Sequence, residues 1–252
     1  MSVRCKEQYE GKVFKTNKHG SLIVTKYVSS KEVYVRFIET GYTTVAQMSR
    51  VLVGEVKDKF SPSVQGVGIV GHETIQSDGK QIREYKLWQD MLERCYCAKL
   101  HKRLPSYSGC TVSDNFKYFP YFKEWCNNQI GFGNEGWHLD KDILVKGNKV
   151  YSEDTCCFVP PEINTLLVKR NSLRGEFPIG VSYKKRIGKY ASQISKNGEV
   201  IHLGNFDTPE EAFYAYKQAK EAYIKEVANK WKDQIDPRVY EALMNWGVSI
   251  DD

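Results

Sequence analysis

The amino-acid sequence predicts an α+β protein made of successive small folded parts. Residues 1–60 alternate apolar and polar side chains, as half-buried strands do. From Glu84 onward the apolar residues fall at helical spacing, and residues 179–206 return to short strands before a long helical stretch. We therefore expect five regions: a small antiparallel β-module at 1–60, a linker at 61–82, a mixed core with flanking helices at 83–174, a three-stranded sheet plus helix at 175–235, and a helical tail at 236–252.

The composition is that of an ordinary globular protein, with 41% hydrophobic and 27% charged residues among 252. No run of eighteen apolar residues occurs, so we expect no membrane partner. The charged N-terminus lacks the apolar stretch of a secretion signal, and the seven cysteines lack paired C-x-x-C spacing. Reduced thiols and a cytoplasmic location are the expectation.

Positive charge is concentrated at the N-terminal end, although the whole chain carries only +6. Residues 1–60 hold 11 lysines and arginines against 6 carboxylates, whereas residues 175–252 hold 11 against 12. A polyanion would meet the N-terminal region first if overall charge decided the encounter. Such a region is either a solvated surface or a contact to the DNA backbone, and the residues concerned are Lys12, Lys15, Lys18, Lys26, Lys31 and Arg36.

The N-terminal strands are rich in β-branched and aromatic residues, as in SLIVTKYVS and EVYVRFIETG. Turn-forming residues separate them at 17–20 and 29–31. The pattern is typical of a small antiparallel module such as a barrel of about five strands. Residues 61–82 are rich in glycine, serine and proline, which indicates a linker or loop.

Two aromatic-rich helices are predicted in the central region, and their apolar stripes indicate core rather than ligand-stacking surfaces. The stripes are Tyr85, Trp88, Met91, Leu92 and Cys95 in the first helix, and Phe119, Phe122, Trp125 and Cys126 in the second. Residues 136–167 then predict a strand, a turn, a second strand and a helix that starts at Pro160 and Pro161.

Residues 179–206 predict three short strands joined by turns at 186–188 and 196–198. The Asn197-Gly198 pair is a strong hairpin signal because both residues tolerate positive φ. A helix then starts with a capping residue, Thr208, a proline at the first helical position and Glu211 to complete a capping box. The predicted buried stripe of this helix is Ala212, Ala215, Tyr216, Ala219 and Tyr223.

The segment that begins GVSYKKRIGKYASQI and continues with IHLGNFDTPEEAFYAYKQAK resembles the plant ethylene-response-factor (APETALA) DNA-binding domain. The resemblance implies that the sheet enters the major groove of double-stranded DNA and that basic and aromatic side chains of its first two strands contact bases and phosphates. Five lysines and arginines against one glutamate between residues 180 and 200 agree with this. The matching positions are Ser182, Lys184, Lys185, Arg186, Lys189, Tyr190 and Gln193.

This segment departs from the plant pattern at three positions. Arginines of the plant domain are Ser182 and Lys184 here, and a tryptophan is Tyr190. Lysine contacts a phosphate as a point charge and lacks the forked geometry that reads guanine. We therefore expect broad DNA binding from this domain rather than tight sequence specificity.

Residues 138–164 resemble the HNH, or ββα-metal, nuclease motif of phage homing endonucleases. The resemblance implies metal-dependent hydrolysis of duplex DNA in the host cytoplasm, with Asp140 and Asn164 binding Mg²⁺ or Mn²⁺. The implied catalytic residues are His138, Asp140, Lys141 and Asn164. The matching residues are His138-Leu139-Asp140-Lys141-Asp142-Ile143, Gly147-Asn148, Thr155-Cys156, Phe158-Val159 and Asn164.

The position next to Asp140, where the family has a histidine as general base, is Lys141. A lysine with an ordinary pKa near 10.4 is protonated and cannot remove a proton from water. His138 could replace the base, since alternation along a strand places it on the same face as Asp140. Alternatively, burial could lower the pKa of Lys141 so that it acts itself. The centre could also have lost catalysis and grip DNA through Lys141, or the match could be only a structural turn.

Three hypotheses of function therefore stand. The first is an HNH-family DNA endonuclease with a degenerate general-base position. The second is a catalytically inactive DNA-binding protein derived from such a nuclease, which regulates or inhibits a host nucleic-acid or defence complex and so has a host protein partner. The third is a protein-interaction module that uses the N-terminal β-module.

Overall fold

The computed structural model describes residues 3–168 and 176–252. The chain divides into two compact units. The N-terminal unit runs to Cys126 and includes Lys149–Glu153, and the C-terminal unit contains Asn127–Asn148 and the chain from Asp154 onward. The predicted boundary between residues 174 and 175 lies outside the described residues.

The N-terminal unit begins with a four-stranded antiparallel sheet in which each strand pairs with the next along the chain. Its buried face carries Leu22, Val24, Val33, Val35 and Phe37. The elements are α1 (Val3–Tyr9), β1 (Val13–Lys15), β2 (Ser21–Ser29), β3 (Glu32–Phe37), β4 (Thr43–Ala46) and α2 (Met48–Leu52).

A fifth strand, expected for a small barrel, is replaced here by the short helix α2. Its buried residues Met48 and Val51 pack with the sheet core. Because these two residues are three apart, a helical turn places both on one face, whereas a strand would place them on opposite faces. The helix therefore covers the sheet where a closing strand was predicted.

Residues 61–82 form a loop whose first half packs against neighbouring elements and whose second half is largely exposed. Ile69 forms a β-bridge with Tyr118, and β5 (Gln76–Ser77) and β6 (Lys80–Gln81) form a small hairpin. A Cβ atom at Gly68 would come within 2.5 Å of Leu92 and 2.7 Å of the Trp88 ring. Glycine is needed there for close packing, so the glycine-rich composition reflects contact with the central helices rather than a free spacer.

The central helices bury the predicted stripes. All five stripe residues of α3 (Arg83–Tyr96) and all four of α6 (Phe119–Asn127) are buried. The Trp88 indole donates a 2.7 Å hydrogen bond to the carbonyl oxygen of Phe116, which satisfies its only polar atom. The connecting elements are α4 (Ala98–Arg103), a 3₁₀ turn (Pro105–Tyr107), β7 (Thr111–Val112) and α5 (Asp114–Lys117).

The C-terminal unit contains the predicted strand, strand and helix. Strand β8 (His138–Asp140) pairs antiparallel with β10 (Cys157–Val159), and α7 (Pro161–Leu166) follows at once. Between them, β9 (Val150–Tyr151) belongs to the N-terminal unit, where it pairs in parallel with β7.

The remainder of the C-terminal unit is a three-stranded antiparallel sheet with a long helix, as predicted. Asn197 and Gly198 have φ of 53° and 85°, and they form the two-residue turn of the second hairpin. Thr208 and Glu211 form the predicted capping box. The elements are β11 (Val181–Lys184), β12 (Lys189–Lys196), β13 (Glu199–Phe206), α8 (Pro209–Trp231) and α9 (Pro237–Met244).

The buried stripe of α8 extends further than predicted. Ala212, Tyr216 and Tyr223 are buried, and Ala215 and Ala219 are half-buried. Ile224 and Val227 add a second buried turn that the prediction did not include. No helix in residues 3–168 and 176–252 is long and apolar enough to cross a membrane.

Candidate nucleic-acid interface

The sheet β11–β13 has one face that α8 covers and one that is open. Lys196 forms an ion pair with Glu226 of α8 at 2.5 Å, and Ile194 is buried. Both residues therefore mark the covered face. Gln193 and Ser195, which alternate with them along β12, are exposed. These two residues mark the open face.

Strand register assigns most of the predicted DNA-binding residues to the open face. Ser182 pairs with Ala191, and Lys184 pairs with Lys189. Directly paired residues share a face, and residues 189, 191 and 193 lie on the same side of β12. Lys184, Lys189 and Gln193 thus lie on the open face, and Ser182 lies in the same row with its hydroxyl oxygen buried and its partner Ala191 buried. Lys185 and Arg186 are exposed in the adjoining turn.

Tyr190 lies on the other face. It is an immediate neighbour of Lys189 on β12 and pairs with Tyr183 of β11. The centroid of its ring lies 5.0 Å from that of Tyr183 and 5.3 Å from that of Phe177, in edge-to-face or tilted contacts. Such contacts are typical of aromatic packing. The geometry thus favours a packing role for Tyr190, which the resemblance had placed among the DNA contacts.

His202 joins the open face, and the sequence analysis did not identify it. It pairs with Gln193 across β12 and β13, and its side chain is exposed. The sequence could have placed His202 beside Gln193, because a two-residue Asn197-Gly198 turn fixes the register of its hairpin. Counting outward from that turn pairs residue 196 with 199 and 193 with 202.

Basic groups are concentrated at the end of the open face where β11 and β12 meet. Lys189 forms a 3.0 Å ion pair with Asp207, and both side chains are substantially exposed. Lys184, Lys185 and Arg186 form no ion pair with a carboxylate among the described residues. Three cations at this end are therefore available to an anionic partner.

Asp140 ends strand β8 and closes the turn that follows it. Its Oδ1 atom accepts the backbone N–H groups of Asp142 and Ile143 at 2.8 and 2.9 Å. Burial, and then the nearby Asp142 carboxylate, raises the pKa of Asp140 to about 6. His138 and Asp140 flank the buried Leu139, so the two share a face of β8 as predicted, and His138 is exposed.

Lys141 is held within its own loop. Its side chain is buried, and its Nζ donates hydrogen bonds of 3.1 Å to Asp142 Oδ2 and to the carbonyl oxygen of Asn148. The Asn148 amide nitrogen donates in return to the carbonyl oxygen of Lys141 at 2.6 Å. The ammonium group therefore stabilises the loop between residues 141 and 148.

Asn164 lies half-buried on α7, and its backbone N–H donates to the carbonyl oxygen of Pro160 at 3.1 Å. Helix α7 packs against β8, which carries Asp140. Among the described side chains, no cluster of three or more histidine, cysteine, aspartate or glutamate residues has the arrangement of a metal site. A metal ion at this place would depend on Asp140 and on the amide oxygen of Asn164.

The strand–strand–helix element is fixed to α8. The Glu162 carboxylate of α7 accepts hydrogen bonds from Lys230 Nζ at 2.6 Å and from the Trp231 indole at 2.7 Å. Trp137, which precedes β8, meets the Trp231 ring edge-to-face at 5.9 Å. Lys220 Nζ donates to the carbonyl oxygen of Leu166 at 2.7 Å and so caps the end of α7.

These contacts explain two shifted pKa values. Burial lowers the pKa of Lys220, because the charged form loses hydration. Burial alone would raise the pKa of Glu162, but the hydrogen bonds from Lys230 and Trp231 outweigh it and leave that pKa below its usual value. The carboxylate form of Glu162 is thus the form that holds α7 against α8.

Comparison with known proteins identifies one part of the chain. Residues 178–226 match the family model described as AP2 domain, which spans the sheet β11–β13 and most of α8. No curated protein and no solved structure matches the chain. The matched region coincides with the three-stranded sheet, its open basic face and its covering helix. The C-terminal part of this chain is an AP2-type DNA-binding domain.

Proposed function

We propose that the open face of the AP2 sheet lies in the major groove of duplex DNA and that it binds mainly through phosphates. The observation that supports the proposal is the strand register within the matched domain, which brings Lys184, Lys189 and Gln193 onto one open face, with the buried Ser182 hydroxyl in the same row. Lys185 and Arg186 extend that face at the turn. A two-stranded or three-stranded ribbon of this width fits the major groove.

The residue types on this face decide whether it contacts phosphates or distinguishes bases. Lysines supply point charges to phosphate oxygens, which give affinity without sequence information. Gln193 is the side chain best suited to a bidentate contact with adenine, and His202 lies directly beside it on β13. The proposal is therefore a broadly binding domain with a modest preference set by these two residues.

The test is the salt dependence of binding to a duplex oligonucleotide by the full chain. Removing two phosphate contacts with Lys184→Ala and Lys189→Ala should reduce the slope of log K against log salt by about 2 units. The matched control is Lys99→Ala with Lys225→Ala, which removes two exposed cations outside the sheet. If the Lys184/Lys189 variant bound as the parent does, the open face would not be the DNA-binding face.

A second candidate function is metal-dependent cleavage of DNA by the strand–strand–helix element. The observation that favours it is the order β8, β10, α7, with His138 and Asp140 on one face of β8. The residues fit a hard divalent ion, since the Asp140 carboxylate and the Asn164 amide supply oxygen atoms. Mg²⁺ or Mn²⁺ bound there would supply electrostatic stabilisation of the phosphate charge that develops during hydrolysis.

The role of general base falls to His138 in this proposal. His138 is exposed on the face of β8 that carries Asp140, and an imidazole nitrogen can accept a proton from an attacking water. Lys141 is a poor candidate because its ammonium group is held by Asp142 and by the Asn148 carbonyl. Its role would be to keep the loop after β8 in shape.

Nicking of supercoiled plasmid with and without Mg²⁺ or Mn²⁺ tests this candidate. Asp140→Ala should abolish nicking, and His138→Ala should lower it strongly, whereas Lys141→Met should act mainly through stability. If the parent binds DNA but never nicks it, the remaining proposal is a DNA-binding protein without catalysis. A regulatory role on a host nucleic-acid or defence complex, with a host protein partner, would then be the function to test by co-purification.

A further inference from the structure

The outer face of the N-terminal sheet is the second uncovered surface of the molecule. Antiparallel register places Val13, Ile23, Arg36 and Thr43 in one row across the four strands. The next row contains Lys26, Tyr34 and Val45. Residues that alternate with these rows, such as Leu22 and Val35, are buried, so the two rows point away from the core.

This face carries cations that the fold leaves unneutralised. Lys15 lies on the same face, because it pairs with Ser21, two residues before Ile23. Neither Lys15 nor Lys26 nor Arg36 has an ion-pair partner among the described residues. In residues 6–60 the only ion pair joins Lys6 to Glu10.

The carboxylates of this region are engaged elsewhere. Asp58 is buried and accepts hydrogen bonds from Thr40 and from the backbone N–H of Phe60. Glu10 accepts the backbone N–H of Tyr27, and Glu39 accepts that of Ser21. Glu32, the one carboxylate on the outer face, accepts the Tyr34 hydroxyl at 3.0 Å. The outer face therefore carries three cations, Lys15, Lys26 and Arg36, against one carboxylate, Glu32.

We propose that the outer face formed by Lys15, Lys26, Tyr34 and Arg36 is a second DNA-binding surface that contacts the phosphate backbone of duplex DNA. Neighbouring strands are about 4.8 Å apart and next-but-one residues about 7 Å apart. On this grid Lys15, Lys26 and Arg36 lie on three neighbouring strands, so their long side chains form one basic surface for a phosphate backbone. The neutral threonine and valine side chains between them do not repel a polyanion.

Duplex DNA is a better occupant than a single strand. Single-stranded nucleic acids are held by rows of aromatic rings on which successive bases stack. This face has one exposed ring, Tyr34, and Lys26 already lies over it at 5.7 Å. In addition, the AP2 domain of the same chain binds duplex DNA, so a second site on the same molecule would act at high effective concentration.

The experiment compares the full-length parent with the variant Lys15→Ala/Lys26→Ala/Arg36→Ala. Fluorescence anisotropy with a duplex and with a single strand of equal length gives affinities over a series of KCl concentrations. The triple variant should reduce the salt slope for duplex by about 2 to 3 units and weaken binding at low salt at least tenfold. The matched control, Lys80→Ala/Lys99→Ala/Lys102→Ala, removes three exposed cations of the same unit and should retain the parent slope.

Three results would overturn the proposal. One is a triple variant that binds duplex with the parent's slope while its circular dichroism spectrum shows a native fold. Another is an equal loss in the control, which would mean that only net charge matters. The third is a loss confined to the single strand. The proposal for the AP2 face is tested separately, by the Lys184/Lys189 variant.

Discussion

The two larger sheets of this protein share one arrangement but differ in the helices that pack on them and in the net charge of their segments. Each is antiparallel, with one face covered and one basic face open. The core of the N-terminal sheet includes Met48 and Val51 of the five-residue helix α2, with Tyr9 of α1 packed against it, and this segment is basic overall. The C-terminal sheet is covered by the 23-residue helix α8, and its segment has slightly more carboxylates than cations.

The comparison shows that the net charge of a segment does not locate a DNA-binding face. In the AP2 domain the carboxylates Glu210, Glu211, Glu221 and Glu226 lie on the helix, while Lys184, Lys185 and Arg186 lie at the open face. The carboxylates and these cations therefore lie on different sides of the domain. In the N-terminal sheet, Glu10, Glu39 and Asp58 accept backbone N–H groups, and Lys15, Lys26 and Arg36 lie on the outer face.

The largest expected effect is loss of the N-terminal core. Phe37 is fully buried between the sheet and α2, so Phe37→Ala should lower the free energy of unfolding by about 3–5 kcal/mol. Phe14→Ala, at a half-buried position of the same cluster, should cost clearly less. Urea denaturation measures both. Equal costs would mean that the buried face of this sheet is not the one assigned here.

The second largest loss of stability is expected from a change at the contact between the AP2 sheet and α8. Gly180 has φ of +78°, and a Cβ atom there would collide with the Tyr216 ring, so Gly180→Ala should cost about 2–4 kcal/mol. Gly188 has a similar φ of +66° but open surroundings, so Gly188→Ala should cost only about 1 kcal/mol. The difference between the two melting temperatures reports the helix–sheet contact alone.

A smaller loss of stability is expected from a change at the contact between α7 and α8. Glu162→Gln keeps the shape but loses the charge that accepts from Lys230 and Trp231, and it should cost about 1 kcal/mol near neutral pH. Because the pKa of Glu162 is lowered in the fold, its contribution is present above the usual value of 4.5 and disappears as pH falls through the lowered pKa. Melting temperatures of parent and variant should therefore converge in acid. A constant difference across pH would contradict this assignment.

The smallest expected effect is on DNA affinity, and it distinguishes contacts to base edges from contacts to phosphates on the AP2 face. His202→Ala should weaken DNA binding only modestly, since a single base-edge contact contributes about 1–3 kcal/mol at most. The salt slope should stay at the parent value, because a contact to a base edge neutralises no phosphate. Anisotropy titrations at two salt concentrations suffice. A reduced slope would show that His202 contacts a phosphate instead of a base.

Spacing along the chain predicted the elements well where the signals are local. The stripes of α3 and α6, the Asn197-Gly198 hairpin and the capping box at Thr208 all follow from residues within a few positions of one another. The short helix α2 was missed because five residues carry too little periodicity to distinguish a helical turn from a strand. The close packing at Gly68 was missed because a glycine needed for close contact resembles a glycine in a flexible loop.

The sequence by itself determined the strands and helices with strong local patterns, the presence of the AP2-type sheet and the residue types available for DNA contact. Tertiary structure decided which side chains are free to act. Tyr190 and Lys141 carry suitable chemistry, yet Tyr190 packs against Phe177 and Tyr183, and Lys141 is held by Asp142 and Asn148. Likewise, only the folded chain brings Glu162 to Lys230 and Trp231. The physical reason is that periodicity and capping depend on near neighbours, whereas burial and the partners of a side chain depend on residues far along the chain.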